Sequence, residues 1–73
     1  MALKIGIVGM RGIGTRHAEC HARDPLADLV AVCDVVKERA DGAAKRFGVK
    51  AYYSLDDMLD GEPDLDIVDV TTG

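Results

Sequence analysis

The chain has 73 residues, of which 48% are hydrophobic, and its net charge is −4. This length allows one small domain, and the apolar fraction is too high for a disordered chain. The acidic balance disfavours nucleic acid as a partner, and no apolar run approaches the ~20 residues that cross a bilayer. Two cysteines without a disulfide framework, together with an N-terminus unlike a signal peptide, predict a cytoplasmic protein.

The first predicted element is a strand that runs directly into a glycine-rich turn. Leu3 to Val8 is a nearly continuous apolar run, which is typical of a strand covered on both faces in a parallel sheet. Gly9 to Gly14 follow, and a helical pattern begins at once and should end before Pro25. A helix that starts in such a turn presents unpaired N–H groups and its positive dipole end. The turn therefore predicts a phosphate-binding site.

Strands and helices continue to alternate along the rest of the chain. The predicted elements are a strand at Leu29 to Cys33, a helix at Lys37 to Phe47, a strand at Lys50 to Tyr53, a short helix after Ser54, and a strand at Leu65 to Thr71. Gly48 should end the first of these helices, and Ser54 should cap the short one, whose buried side would be formed by Leu55, Met58 and Leu59. This order predicts an α/β fold, a partial doubly wound (Rossmann) parallel sheet with strand order 3-2-1-4 and helices on both faces. Residues 1–73 would form the N-terminal part of a dinucleotide-binding domain.

The glycine turn departs from the usual dinucleotide fingerprint at one position. Gly9 and Gly14 match the first and third glycines of G-x-G-x-x-G, but Arg11 stands at the second, and Gly12 is an extra glycine. Two interpretations of Arg11 stay open. Its guanidinium could pair with a phosphate, or it could be a solvent-exposed arginine while Gly12 supplies the freedom of a slightly shifted turn.

Asp34 is the acid that the fingerprint requires after the second strand. It stands twenty residues after Gly14, where a carboxylate can accept hydrogen bonds from both hydroxyls of an adenosine ribose. The same charge would repel a 2′-phosphate, so NAD is preferred to NADP, although Lys37 is close enough in sequence to soften that preference. The alternative is that Asp34 merely caps the next helix.

The first helix carries polar residues on one flank. His17, Cys20 and His21 could share that flank, but a metal site would need more ligands, so none is predicted. Cys20 is expected to be a small core residue, and the scarcity of aromatics predicts a core of Val, Ile, Leu and Ala. Asp69 interrupts the fourth strand, where we expect it to face a helix terminus or solvent because a buried unpaired carboxylate is costly.

Three segments of the chain resemble a known family. GIGTRHAE (residues 12–19), VAVCD (30–34) and KRFGVKAYYSLDDML (45–59) resemble the N-terminal domain of the glucose–fructose oxidoreductase and inositol dehydrogenase (Gfo/Idh/MocA) family, and the resemblance covers essentially the whole chain. It implies NAD(P) binding, with Ile13 along the cofactor and Thr71 and Thr72 on the ribose side. The implied cofactor-binding residues are Gly9, Met10, Arg11, Gly12, Ile13, Gly14, Asp34, Thr71 and Thr72.

The resemblance also implies an activity for a parent protein. Members transfer hydride between nicotinamide and sugars, cyclitols or related polyols, using a lysine in a Glu-Lys-Pro segment that does not occur in this chain. No catalytic residue is therefore predicted here, and the 73 residues alone should be inactive. The resemblance leaves open a homo-oligomeric parent. The alternative is a stand-alone nucleotide-binding or redox-sensing module without catalysis.

Overall fold

The structure is a computed structural model that describes residues 2–71. Its elements are β1 (Leu3–Val8), α1 (Gly12–Arg23), β2 (Ala27–Cys33), α2 (Lys37–Phe47), β3 (Lys50–Tyr52), α3 (Leu55–Gly61) and β4 (Ile67–Val70). The strands form one sheet in the order β3-β2-β1-β4, and all three neighbouring pairs are parallel. The predicted fold class and strand order are confirmed.

The boundaries of β2 and β4 differ from the predicted ones. β2 begins at Ala27, two residues early, because the Leu3 N–H already donates to the carbonyl of Leu26 at 2.8 Å. β4 begins only at Ile67, because the preceding residues form a turn in which the Leu65 N–H donates to the Glu62 carbonyl at 3.3 Å. These local hydrogen bonds decide where strand pairing starts. They do not affect the carboxyl ends of the strands, and the glycine turn lies at that edge of the sheet, as predicted.

The sheet is covered on both faces. Ile5, Ile7 and Val32 point to the face that α1 and α2 cover, and Ala18 of α1 packs on them. Ala31 and Cys33 point to the opposite face, where Met58 of α3 packs. This division follows from the alternation of side chains along a strand. It places α1 and α2 together on one side of the sheet and α3 alone on the other.

The core composition was predicted incompletely. Met10 and Met58 are buried, Cys33 is 2% exposed, and no leucine of the described residues belongs to the fully buried set. Methionine fills irregular space between small residues well because its chain is unbranched. The apolar stripe of α2, formed by Ala40, Ala43, Ala44 and Phe47, faces the core, and Ala40 is fully buried.

The short helix α3 is capped as predicted but buries less than predicted. The Ser54 hydroxyl accepts a hydrogen bond from the Asp57 N–H at 3.1 Å, and Gly48 ends α2 with a left-handed φ of 67°. Met58 has no exposed surface, but Leu55 and Leu59 are 40% and 44% exposed. The expectation that Leu55, Met58 and Leu59 are all buried was wrong. A helix of about two turns that packs on a single sheet buries only a narrow stripe of its surface.

Candidate functional site

The glycine turn bends sharply at Gly9. Its φ is 95°, which side chains of L-residues rarely adopt, and its N–H donates to the carbonyl of Cys33 at 2.7 Å. Gly12 is the first residue of α1 and does not have a positive φ. The freedom needed by the turn therefore comes from Gly9, and the interpretation in which Gly12 supplies it is wrong.

Arg11 is the N-cap residue of α1. Its backbone is extended, with φ −76° and ψ −168°, so an arginine fits there without strain. Its side chain makes no capping hydrogen bond with the helix. The first amides of α1 are consequently left without a side-chain cap at the end where the helix dipole is positive, which is an arrangement that favours an anion.

Close packing holds the turn against α1 and β4. A Cβ at Gly14 would lie 1.7 Å from the carbonyl oxygen of Gly9, so α1 rests directly on the turn. The Thr71 hydroxyl donates to the same Gly9 carbonyl at 2.6 Å, and the Thr71 N–H donates to the Val8 carbonyl at 2.8 Å. Thr71 thus ties the end of β4 to the glycine turn.

Asp34 connects the turn to the segment after β2. The residue is buried, with 6% of its surface exposed. Oδ2 accepts a hydrogen bond from the Met10 N–H at 2.8 Å, and Oδ1 accepts one from the Val36 N–H at 2.8 Å. Val36 is the N-cap residue of α2, so Asp34 binds an amide at the start of this helix and an amide of the glycine turn at the same time, and its structural role is wider than capping one helix. Each carboxylate oxygen retains a second lone pair that could accept a ligand hydroxyl.

The electrostatic surroundings keep Asp34 ionised. Burial alone would raise the pKa of its carboxyl. The hydrogen bonds from the Met10 and Val36 amides, followed by the charges of Arg39 and Arg11, lower that pKa below its ordinary value overall. The site therefore presents a negative acceptor flanked by two guanidinium groups.

A cavity of about 380 Å³ opens beside the turn and Asp34, at the carboxyl edge of the sheet. It is lined by Val8, Gly9, Arg11, Cys33, Asp34, Val35, Arg39, Ser54, Leu55 and Thr71. Its size is within the range of ordinary small-molecule sites. Arg11 lines this cavity and is also an exposed residue, so its guanidinium is within reach of a ligand in the cavity and of solvent alike.

The structure brings four predicted cofactor-binding residues into one cavity, namely Gly9, Arg11, Asp34 and Thr71. The other predicted residues within the described range are Met10, Gly12, Ile13 and Gly14, which do not line it. The Met10 side chain is buried in the core, while its N–H holds Asp34. Ile13 is 59% exposed on the first turn of α1. Thr72 lies outside the described residues.

Six lining residues were not predicted as cofactor-binding from the sequence: Val8, Cys33, Val35, Arg39, Ser54 and Leu55. Ser54 and Leu55 follow β3, the neighbour of β2. The rule that ligands bind at the carboxyl ends of parallel strands could have identified them. The basic residue named from the sequence, Lys37, does not line the cavity, and its Nζ lies 5.9 Å from the centre of the Tyr53 ring.

A second polar cluster joins α1 to β4. His17 Nδ1 and His21 Nε2 donate to the same oxygen, Oδ2 of Asp69, at 2.8 and 3.1 Å. Burial would raise the pKa of Asp69, but the hydrogen bonds from His21 and His17 and their charges lower it overall. Asp69 thus faces the flank of α1 rather than a helix terminus. Within residues 2–71, no group of His, Cys, Asp and Glu side chains could hold a metal ion.

Cys20 is exposed, so its predicted place in the core was wrong. The stripe of α1 that faces the sheet is formed by Gly14 and Ala18, which are four residues apart and both buried. Residues spaced by four share a helix face, and a residue two positions after Ala18 points away from it. The rotation of α1 about its own axis therefore leaves Cys20 outside the core.

Comparison with known proteins gives the chain its family. The model of the oxidoreductase family with an NAD-binding Rossmann fold (Gfo/Idh/MocA) matches residues 3–73. The chain belongs to this family. It is 41% identical over 58 residues to an inositol 2-dehydrogenase of Rubrobacter xylanophilus, covering 78% of this chain and 17% of that enzyme. It is 36% identical over 62 residues to a glucose-6-phosphate 3-dehydrogenase of Bacillus subtilis, covering 85% and 18%.

Solved structures of the Gfo/Idh/MocA family agree with the fold. The scyllo-inositol dehydrogenase of Lactobacillus casei, crystallised with NAD(H) and scyllo-inositol, superposes with a TM-score of 0.88 at 35% identity. The match covers 100% of this chain and 22% of that one. The chain thus spans about a fifth of the length of these relatives. None of the helices within residues 2–71 is long and apolar enough to cross a membrane.

Proposed function

We propose that residues 1–73 form the N-terminal, cofactor-binding part of a dinucleotide-binding domain, and that the cofactor is NAD. The observation that carries this proposal is the placement of Asp34. Its carboxylate is fixed at the edge of a cavity by an amide of the glycine turn, 2.8 Å away. That is where an adenosine ribose would lie if its pyrophosphate rested on the N-terminus of α1.

Each part of the site has a separate task in this proposal. The uncapped amides at the start of α1 and the Arg11 guanidinium would bind the pyrophosphate. Asp34 would accept hydrogen bonds from the ribose hydroxyls. Thr71 would act mainly through the turn, because its hydroxyl already donates to the Gly9 carbonyl. NAD supplies the hydride chemistry when bound, and the chain supplies binding, orientation and charge.

The parent protein is proposed to oxidise or reduce a sugar, cyclitol or related polyol. This rests on the relatives, an inositol 2-dehydrogenase and a glucose-6-phosphate 3-dehydrogenase, and on the Lactobacillus casei enzyme with bound scyllo-inositol. The group that handles the hydroxyl proton is proposed to lie outside these 73 residues. A homo-oligomeric parent and a cytoplasmic location remain predictions.

Calorimetric titration of the full-length gene product with NAD and NADP tests the cofactor assignment. We expect NAD to bind more tightly, and we expect Asp34→Ala to weaken NAD binding by about tenfold or more, since hydrogen bonds to a charged group are lost. Asp56→Ala on exposed α3 is the matched control and should leave NAD binding unchanged. The assignment is wrong if neither nucleotide binds the wild type, or if NADP binds more tightly than NAD.

The substrate class requires an activity assay. Full-length protein with NAD should reduce the cofactor, seen as absorbance of NADH, when offered myo-inositol, scyllo-inositol or glucose 6-phosphate. A truncated protein that ends at residue 73 should show no turnover, although it keeps the proposed cofactor site. Turnover by residues 1–73 alone would show that the catalytic groups lie within this chain.

A further inference from the structure

The polar cluster between α1 and β4 holds the helix at which the pyrophosphate would bind. Of the twelve residues of α1, only Gly14 and Ala18 are buried, so few apolar contacts fix the direction of this helix. Asp69 adds a polar contact, because one of its oxygens accepts hydrogen bonds from His17 at 2.8 Å and from His21 at 3.1 Å. Side chains four residues apart lie on the same side of a helix, so Asp69 holds α1 over a full turn.

The end of β4 also holds the glycine turn. Asp69 pairs beside Ile7 in the sheet, and Thr71 follows two residues later. The Thr71 hydroxyl donates to the Gly9 carbonyl at 2.6 Å. One segment of the chain therefore holds α1 in its middle and the turn before its first residue. The position of the first amides of α1 relative to the turn depends on both contacts.

The cluster can gain protons without losing its hydrogen bonds. A carboxylate oxygen only accepts, so each imidazole donates one N–H to Asp69, and its other ring nitrogen carries a lone pair when the ring is neutral. The side chains of His17 and His21 are 45% and 26% exposed, so protons reach them from solvent. Protonation makes both contacts bonds between ionised groups, which are stronger. Histidine side chains change charge between about pH 5 and pH 8.

Few other charges face the cluster. The neighbour of Asp69 on β1 is Ile7, which carries no charge, and Glu19 of α1 is paired with Arg46 of α2 at 2.9 Å. Burial raises the pKa of Asp69, and the hydrogen bonds and charges of the two histidines lower it overall. The charge of the cluster is therefore set by the two histidines and the carboxylate that they share.

We propose that Asp69 is a positioning residue of the cofactor site. Through His17 and His21 it fixes the direction of α1, so that the first amides of the helix meet the pyrophosphate, and the affinity for NAD increases as the histidines gain protons. The inference rests on the proposed function, because it assumes that the pyrophosphate lies at the N-terminus of α1. Protonation strengthens the contact that holds the helix. It also adds positive charge about 7–8 Å along the axis from Gly12, which favours an anion at that end.

The test is calorimetric titration of the full-length gene product with NAD at about pH 5.5 and about pH 8, near the two ends of the histidine range. Asp69→Ala should weaken NAD binding at the higher pH by about fivefold, which corresponds to the net effect of one hydrogen bond. Asp69→Asn keeps an acceptor oxygen and should stay within about twofold of wild type. Asp64→Ala removes an equal charge from an exposed side chain and should leave NAD binding unchanged.

A double variant, His17→Gln with His21→Gln, separates the charge from the hydrogen bonds. Glutamine keeps an N–H donor for Asp69 but does not titrate. This variant should bind NAD like the wild type at the higher pH and about two- to threefold more weakly than the wild type at the lower pH. Because each variant is compared with the wild type at the same pH, effects of pH that arise elsewhere in the protein cancel.

Each other outcome contradicts a different step. If the wild type binds NAD and Asp69→Ala binds it equally well, or Asp64→Ala weakens binding as much, the positioning role is wrong and the proposed function stands. Equal weakening in Asp69→Asn and Asp69→Ala would contradict the argument from the hydrogen bonds. A double variant that follows the wild type at both pH values would show that the histidines do not control the affinity. If the wild type does not bind NAD, the proposed function itself fails. Far-UV circular dichroism of each variant establishes that it is folded.

Discussion

Replacing Gly14 with alanine should destabilise the fold strongly, whereas the same change at Gly12 should not. A Cβ at residue 14 would lie 1.7 Å from the Gly9 carbonyl oxygen and 2.8 Å from Thr71 Oγ1. A Cβ at residue 12 would meet no atom within 4 Å. Both glycines lie in α1 without a positive φ, so the pair separates crowding from backbone conformation.

The size of the effect follows from the displacement required. Contacts of this kind shorter than about 3 Å are strongly repulsive, so α1 would have to retreat from the turn by more than about 1 Å. Ala18, one turn further along, has no exposed surface and would lose its packing on Ile5 and Ile7. We expect a loss of about 3 kcal/mol, at the upper end of overpacking effects. A domain of this size is stable by only about 4–11 kcal/mol.

Urea unfolding of the full-length protein and its two variants, followed by far-UV circular dichroism, measures the difference. Gly14→Ala should unfold at a clearly lower urea concentration. Gly12→Ala should change the free energy of unfolding by less than about 1 kcal/mol, because alanine is the better helix former and nothing crowds it. Wild-type stability in Gly14→Ala, or an equal loss in Gly12→Ala, would refute the argument from close packing.

Three further predictions concern the rest of the domain. Acid should destabilise the fold through Asp34 and Asp69, because the pKa of each carboxyl is lower in the folded state than in the unfolded chain. The stability that these two carboxylates give the fold is complete above about pH 4 and is lost as the pH falls through their lowered pKa values. Urea unfolding across pH 2–6 would show this, and no acid loss would contradict it. Asp69→Ala should lower stability by about 1 kcal/mol because His17 and His21 lose their acceptor; an unchanged urea midpoint would contradict that. Met58→Ala should lower the free energy of unfolding by about 2–4 kcal/mol, since the side chain is fully buried. A melting temperature within about 1 °C of wild type would contradict that prediction.

The sequence predicted the elements and the strand order because few topologies satisfy alternating strands and helices with right-handed connections. It did not predict which side chains from separate elements meet. Lys37 and Arg39 are two residues apart, and only the rotation of α2 decides which of them lines the cavity beside Asp34. The pairing of Asp69 with the α1 histidines and the exposure of Cys20 depend on the rotation of α1 in the same way. A hydrophobic pattern with many alanines and few large side chains defines that rotation weakly.

In the proposed site, Asp34 would combine two roles that the sequence pattern presents as one. A carboxylate that only recognised ribose could be exchanged without effect on the glycine turn. In this fold the Met10 amide of that turn donates to the carboxylate at 2.8 Å, and the Val36 amide after β2 holds its other oxygen. The acid is therefore part of the structure that holds the glycine turn. Changing Asp34 should consequently disturb the turn as well as any ligand hydroxyl that the carboxylate binds, so weaker cofactor binding in an Asp34 variant would not by itself measure recognition of the ribose.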